Sequence, residues 1–177
     1  MIKTIKENII LDNGFIKVYN DTVSFNGKSE GNYFKYSLSD KFPNYGVAII
    51  CEYEEKIYLQ EIFRYAHQDK MIETVKGMGM KDKTPLETAT IEVREETGGI
   101  IDSIKEIGII KNDLSDCLIH CFVAKIKNFE DTNHEESEFI ENLKGYSILE
   151  IKEMIINDEL QDGLTMSIIL KYLVNIT

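Results

Sequence analysis

The fold of this chain is decided by residues 77–99, which read GMGMKDKTPLETATIEVREETGG. This stretch predicts a loop that leads into a short helix with a signal at each end. Thr84 is a good N-cap, Pro85 suits the first helical position, and Glu87 stands three residues after the cap to complete a capping box. Gly98 supplies the left-handed residue that ends many helices.

The predicted helix carries three glutamates at a notable spacing. Glu92, Glu95 and Glu96 stand at i, i+3 and i+4, so we expect them on one face about one turn long. Their mutual repulsion costs about 0.2–0.5 kcal/mol per pair, so folding alone gains little from the cluster. Hard oxygen ligands for Mg²⁺ or Mn²⁺ would explain it. A solvated acidic face is the alternative.

The same stretch resembles the box of the Nudix hydrolase family, G-x5-E-x7-R-E-U-x-E-E-x-G-U, where U is aliphatic. The resemblance implies an α+β fold, a Nudix-like α/β/α sandwich with a mixed sheet, in which the glutamates bind the metal. The positions that match the pattern are Gly77, Glu92, Val93, Glu95, Glu96 and Gly98.

Three positions depart from the box. Lys83 stands where the first Glu belongs, Ile91 where the Arg belongs, and Gly99 where the last aliphatic residue belongs. The lost Glu and Arg have opposite charges, so losing both avoids leaving one charge unpaired. Arg94 is a candidate substitute cation near Glu95 or the loop before the helix.

Composition excludes several classes of protein. The chain has 177 residues, is 43% hydrophobic and carries a net charge of −11, which indicates a globular domain that does not attract nucleic acid or anionic membrane. No apolar run approaches the ~20 residues of a membrane span, and the N-terminal residues do not resemble a signal peptide. A polyanionic substrate requires divalent cations to bridge it to the carboxylates.

The odd number of cysteines suggests reduced thiols in a cytoplasmic protein. Cys117, His120 and Cys121 could suggest zinc, but no second cluster completes four ligands. We therefore expect Cys51, Cys117 and Cys121 to be core residues.

The chain divides into residues 1–40, an N-terminal β-strand unit, and residues 41–177, the main domain. Turn signals at Asp12-Asn13-Gly14 and Asn26-Gly27 predict about three strands in the first unit. This unit is similar to that of the ADP-ribose pyrophosphatase branch of the family, which implies a homodimer. Further elements are expected as strands over 46–52, 57–63, 104–110 and 117–125, and as helices over 147–156 and 161–176, the last capped by Asp162.

Two segments before the helix also resemble that branch. Residues 59–65 are similar to its Leu-x-x-Gln-Tyr-Arg run, which implies that Arg64 lies close to the substrate. Residues 71–77 are similar to its Glu-Leu-Pro-Ala-Gly run, which implies a substrate-binding role for Glu73. The same resemblance implies that Gly77 and the backbone carbonyl of Lys76 belong to the metal site.

The acidic loop over 128–137 resembles the loop that supplies the base in this branch. Glu136 is the first candidate base and Glu135 the second, with His134 a weaker one, and Glu95 is also expected at the catalytic centre. The resemblance implies Mg²⁺- or Mn²⁺-dependent hydrolysis of the pyrophosphate in ADP-ribose or a related nucleotide sugar. The alternatives are a Nudix-fold nucleotide-binding or regulatory protein without turnover, a structural module, and a triphosphate or dinucleoside polyphosphate substrate.

Overall fold

A mixed sheet with helices on both faces carries the predicted site. The computed structural model describes residues 1–130 and 140–175. Within these ranges the chain forms a smaller N-terminal sheet, a larger central sheet and three helices. The strands are β1 Ile2–Lys6, β2 Ile9–Asp12, β3 Ile16–Phe25, β4 Ser29–Leu38, β5 Tyr45–Tyr53, β6 Lys56–Arg64, β7 Asp69–Glu73, β8 Val75–Met78, β9 Gly99–Lys111, β10 Leu118–Phe129 and β11 Ile140–Tyr146. The helices are α1 Pro85–Thr97, α2 Ile148–Ile156 and α3 Gly163–Asn175.

The N-terminal sheet is antiparallel and built around β3. β1 and β2 pair with successive halves of one edge of β3, and β4 pairs along the other edge. The sequence predicted about three strands here, and the structure has four. The first predicted strand is divided into β1 and β2, because the pairing with β3 is interrupted at Asn8. There the backbone N–H donates to the Asp21 carboxylate at 3.0 Å and the side chain donates to the Asn20 carbonyl at 3.3 Å.

The central sheet has the order β11-β6-β5-β10-β9. β5 and β10 run parallel, and the other pairs are antiparallel. β5 changes neighbour along its length, since Gly46–Ile49 pair with β8 and Cys51–Tyr53 pair with β6. β7 pairs with the second half of β6, over Gln60–Arg64. The two short strands before the helix are therefore held by different long strands.

Alternate residues of β5 face different helices. Val47 and Ile49 pack in one core with Ala89 and Val93 of α1. Ala48 and Ile50 pack in the other core, which α2 and α3 supply with residues that include Ile151 and Ile168. The order helix, mixed sheet, helices is the α/β/α sandwich predicted from the sequence, and the α+β class is confirmed.

The helix that contains the acidic residues begins and ends as predicted. Thr84 accepts a hydrogen bond from the Glu87 backbone, the Glu87 side chain accepts one in return, and Pro85 occupies the first turn. Gly98 closes the helix in the left-handed region at φ 67°. β9 follows at once, so it starts five residues earlier than the predicted strand at 104–110.

Hydrogen bonds link the two sheets near the start of β10. The Tyr36 backbone N–H donates to the Leu114 carbonyl at 2.9 Å, and Tyr36 forms an isolated bridge with Ser115. The division into units 1–40 and 41–177 stays a prediction. None of the helices in the described part of the chain is long and apolar enough to cross a membrane.

Candidate functional site

The three glutamates of α1 do not share one environment. Glu92 and Glu96 are only 8% and 5% exposed, whereas Glu95 is exposed. Successive helical residues turn by about 100°, so Glu95 and Glu96 point in different directions, while Glu92 and Glu96 are one turn apart on the same face. The three glutamates therefore do not share one face as expected. Glu92 and Glu96 face the sheet, and Glu95 faces the solvent.

Gly77 of β8 lies directly beneath Glu92. A Cβ atom at Gly77 would collide with the carboxylate of Glu92, including its Oε1 atom. The φ angle of Gly77 is not in the left-handed region, so the glycine is required for space and not for backbone conformation. Position 77 thus forms a cradle that brings the carboxylate against the strand.

Gln60 of β6 contacts the second buried carboxylate. Its Nε2 atom donates to Oε2 of Glu96 at 2.5 Å, and the residue is only 1% exposed. The Oε1 atom of Gln60 has no hydrogen-bond partner within the described residues, and a buried acceptor left in that state costs about 1–3 kcal/mol.

Burial, together with the negative charge of Glu96, raises the pKa of the Cys51 thiol.

A second group of charges lies where β6, β7, β8 and α3 meet. Arg64 binds Glu73 in a bidentate manner, with Nε to Oε1 at 2.7 Å and an Nη atom to Oε2 at 2.6 Å. Lys76 donates to Glu73 at 2.7 Å and to Asp162 at 2.5 Å. Asp162 in turn caps α3, because it accepts from the Thr165 backbone at 2.7 Å.

These contacts keep both acidic members ionised. Burial opposes ionisation of Glu73, but hydrogen bonds from Arg64 and Lys76 hold its pKa below the usual range. Burial likewise opposes ionisation of Asp162, and hydrogen bonds from Lys76 and Thr165 lower its pKa.

Arg64 links this charged group to the acidic helix. Its hydrogen bond to Glu73 raises the pKa of the guanidinium, and the charges of Asp162 and Glu96 act in the same direction. Glu73 is 1% exposed and lies beneath Arg64, whose side chain is 43% exposed. A cavity of about 300 Å³ opens beside them, with Tyr65 and His67 in its wall.

The Lys76 side chain and the Gly77 position face opposite sides of the sheet. Lys76 pairs with Ala48 and Gly77 with Val47, and these two residues of β5 belong to the α3 core and the α1 core respectively. The ammonium group of Lys76 reaches Glu73 and Asp162 and does not approach the position of Gly77.

The residues that depart from the box are accommodated locally. The Lys83 carbonyl accepts from the Tyr45 hydroxyl at 2.7 Å, and Ile91 is half-buried. Arg94 pairs with Glu130 at 2.7 Å, in the first part of the acidic loop and directly after β10. His120 contacts Glu106 at 2.8 Å, while Cys121 is buried and Cys117 is half-buried.

The predicted metal ligands are assembled only in part. Among residues 1–130 and 140–175, no three His, Cys, Asp or Glu side chains converge closely enough to hold a metal ion. The residues nevertheless fit a hard cation in three respects, namely the two buried carboxylates, the cradle at Gly77 and the unpartnered oxygen of Gln60. The predicted bases Glu135 and Glu136, with His134, lie outside the described residues.

Sequence reasoning missed Gln60, although a signal existed. Position 60 is a polar residue inside the predicted strand 57–63, and the residues two positions before and after it, which share its side of a strand, are Tyr58 and Ile62. A larger cavity of about 520 Å³ lies elsewhere, between β4, β10 and α3, and its lining is mostly apolar. We assign the site from the converging charged groups and not from cavity volume.

Comparisons with known proteins support the fold. No protein-family profile matches the chain, and no curated protein matches it in sequence. The crystal structure of an ADP compounds hydrolase is similar with a TM-score of 0.82 at 10% identity, and the alignment covers 97% of this chain and 91% of that one. A NUDIX hydrolase from Nitrosomonas europaea is similar with a TM-score of 0.63 at 21% identity, over 75% of this chain and 90% of that one. At these identities the likeness establishes the fold, and the predicted Nudix-like fold is confirmed.

Proposed function

We propose that the protein is a metal-dependent hydrolase of the pyrophosphate bond in ADP-ribose or a related nucleoside diphosphate sugar. The observation that carries the proposal is the pair of buried carboxylates on one face of α1, with Glu92 against the cradle at Gly77 and Glu96 against Gln60. This pair occurs in a fold shared with an ADP compounds hydrolase and a NUDIX hydrolase. The fold alone would not carry the function, whereas the carboxylate pair supplies its chemistry.

In this proposal the carboxylates of α1 hold Mg²⁺ or Mn²⁺, together with Gly77 and the Lys76 carbonyl. The bound metal would neutralise charge on the phosphate oxygens and lower the pKa of the attacking water. Glu95, at the solvent side of the helix, is available to complete the ligand set on the substrate side. Glu136, or Glu135, takes the proton from the water as general base.

Arg64 is the proposed phosphate contact. Its fork uses two donor atoms on Glu73, and the exposed part of the guanidinium retains N–H donors that face the adjoining cavity. Glu73 is buried beneath it, so we assign Glu73 the role of orienting Arg64 and not of touching the substrate. Arginine suits this task because its planar fork matches phosphate geometry.

A catalytically impaired nucleotide-binding or regulatory protein is the second candidate. The observation that favours it is the absence, among the described residues, of three converging metal ligands. The replacements at Lys83 and Ile91 point the same way, because they remove a charge pair from the box pattern.

We also infer that the protein forms a homodimer through its N-terminal sheet. Every residue of β1 and β2 is exposed. These two strands include large apolar side chains that are about half exposed, namely Ile2, Ile5, Ile9, Ile10 and Leu11. A concentration of large exposed apolar side chains in two short strands often marks a protein interface.

The function is tested by phosphate-ester release from ADP-ribose, nucleotide sugars and nucleoside triphosphates, with Mg²⁺ or Mn²⁺. We expect turnover of a diphosphate-linked substrate that Glu95→Gln and Glu96→Gln abolish. Glu153→Gln, at an exposed glutamate of α2, is the matched control and should retain activity. No turnover, with ADP-ribose still raising the melting temperature, would favour the binding protein, and silence in both assays would overturn the substrate assignment.

A further inference from the structure

Gln60 lies at a position where an apolar side chain would be expected. It is 1% exposed, as is its apolar strand neighbour Leu59, and its side chain points toward α1. One end of the Gln60 amide is unpartnered within the described residues, so the residue does not satisfy its own hydrogen-bonding groups. The fold therefore satisfies only the end of the amide that reaches Glu96, and burial of the other end opposes folding.

The orientation of the Gln60 amide follows from the charge on Glu96. Nε2 donates to Oε2 of Glu96 at 2.5 Å. Rotating the amide by half a turn would bring Oε1 against the same carboxylate oxygen, and two acceptors would then face each other. The amide is consequently held in one orientation, and it holds the Glu96 carboxylate in return.

We propose that Gln60 is a positioning residue for Glu96, retained for the metal site at the expense of the fold. This inference rests on the proposed function, because it assumes that Glu96 binds a divalent cation. Hydrogen bonds that orient a metal ligand commonly change metal affinity by about 10- to 100-fold when they are removed. Gln60 makes a contact of this kind with the carboxylate at the end of α1.

The test separates metal binding from stability. Gln60→Met keeps the length of the side chain but removes both polar atoms, so the Glu96 contact is lost together with the unpartnered oxygen. We expect Mn²⁺ binding, measured by calorimetric titration without substrate, to weaken about tenfold. The lost hydrogen bond to Glu96 lowers stability and the removed unpartnered oxygen raises it, so the midpoint of urea unfolding without metal should change little. In turnover assays kcat should fall while KM changes little.

Tyr172→Phe is the matched control. The Tyr172 hydroxyl donates to Glu52 at 3.0 Å, so this variant also removes a hydrogen bond to a glutamate, but one outside the site. We expect Mn²⁺ affinity to be unchanged and the urea midpoint to fall. Gln60→Leu serves as a second variant of the site, with the same expectation as Gln60→Met.

Three results would overturn the inference. Wild-type Mn²⁺ affinity in Gln60→Met would reject it and leave the proposed function intact. Lowered stability in both Gln60→Met and Gln60→Leu would assign the residue to the fold. Failure of the wild-type protein to bind Mn²⁺ would reject both the inference and the metal site on which it rests.

Discussion

At the level of single residues, the site depends on how closely Gly77 and Glu92 approach. The glycine has no side chain to displace the carboxylate, and α1 can therefore pack with an acidic residue directly on β8. A side chain at position 77 would push Glu92 away and separate the helix from the strand. Small displacements of this kind affect catalysis more than they affect folding.

We expect Gly77→Ala to lower activity about 100-fold and the free energy of unfolding by about 1–3 kcal/mol. Gly163→Ala is the matched control, since a Cβ atom there would meet nothing within 4 Å. The control should be neutral or stabilise by about 0.4–1 kcal/mol. Turnover assays and urea unfolding of both variants measure the effects. Equal behaviour of the two variants would contradict the cradle.

Some of these residues could be predicted from the sequence and others could not. The spacing of Glu92 and Glu96 indicated a shared face, because helical geometry fixes that relation. The exposure of Glu95 depends on how α1 is rotated against the sheet, which no local pattern determines. Gln60 in β6 and Glu96 in α1 are 36 residues apart in the sequence, and only the tertiary structure brings them into contact.

At the level of elements, the ion pairs of Lys76 connect β8 to the start of α3. Its ammonium group reaches Glu73 and Asp162, and Asp162 also caps the helix. Both carboxyls have lowered pKa values, so their ionised forms stabilise the fold above the pH at which the unfolded carboxyls titrate, near 4.5 and 3.8. This contribution is lost as the pH falls below those values.

Lys76→Met should therefore lower the free energy of unfolding at pH 7 by about 1.5–3 kcal/mol, the range for a hydrogen bond to a charged group. The difference from the wild type should narrow as the pH falls below about 4.5 and 3.8, where the carboxyls of the unfolded chain take up protons. Urea unfolding over this pH range measures both quantities. A difference that does not change with pH would show that Lys76 acts through packing alone.

Arg94→Met is the control for this prediction. The ion pair between Arg94 and Glu130 spans 2.7 Å, and both side chains are about half exposed. Exposed pairs of this type contribute about 0–1 kcal/mol. The control should therefore stay close to the wild type at every pH.

The elements themselves differed in how far they could be predicted. α1 and α2 begin with capping boxes, at Thr84 and Ser147, and such local signals can be read from sequence. β11 was not predicted, since it follows the acidic loop and its pairing with β6 is long-range. The break at Asn8 also depends on contacts with β3 that sequence patterns do not contain.

At the level of the whole molecule, the N-terminal sheet leaves apolar side chains uncovered. We expect the protein to sediment at twice its chain mass of 20.4 kDa, because a second copy can cover β1 and β2. Ile10→Asp, at a residue 61% exposed in β2, should weaken the dimer at least tenfold. Sedimentation velocity over a range of concentrations measures the change.

Ile156→Asp is the control for surface charge, because Ile156 is 79% exposed at the end of α2, away from the N-terminal sheet. It should leave the dimer unchanged. A monomeric wild type, or equal weakening by both variants, would contradict the proposed interface.

The overall α/β/α order was predictable because a single recognised segment implied it, whereas the assembly depends on surfaces that a single sequence does not identify.

The positions of the cysteines give the protein its own chemical reporters of opening. Only a thiolate reacts readily with alkylating reagents, and burial raises the pKa of Cys121 to about 11 and that of Cys51 as well. Cys117 is half-buried and outside the strands, so it is the accessible thiol. Cys51 lies beneath the end of α1, beside Glu96. Alkylation of Cys51 therefore requires either separation of α1 from the sheet or unfolding of the chain, and its rate measures how often one of these exposes the site.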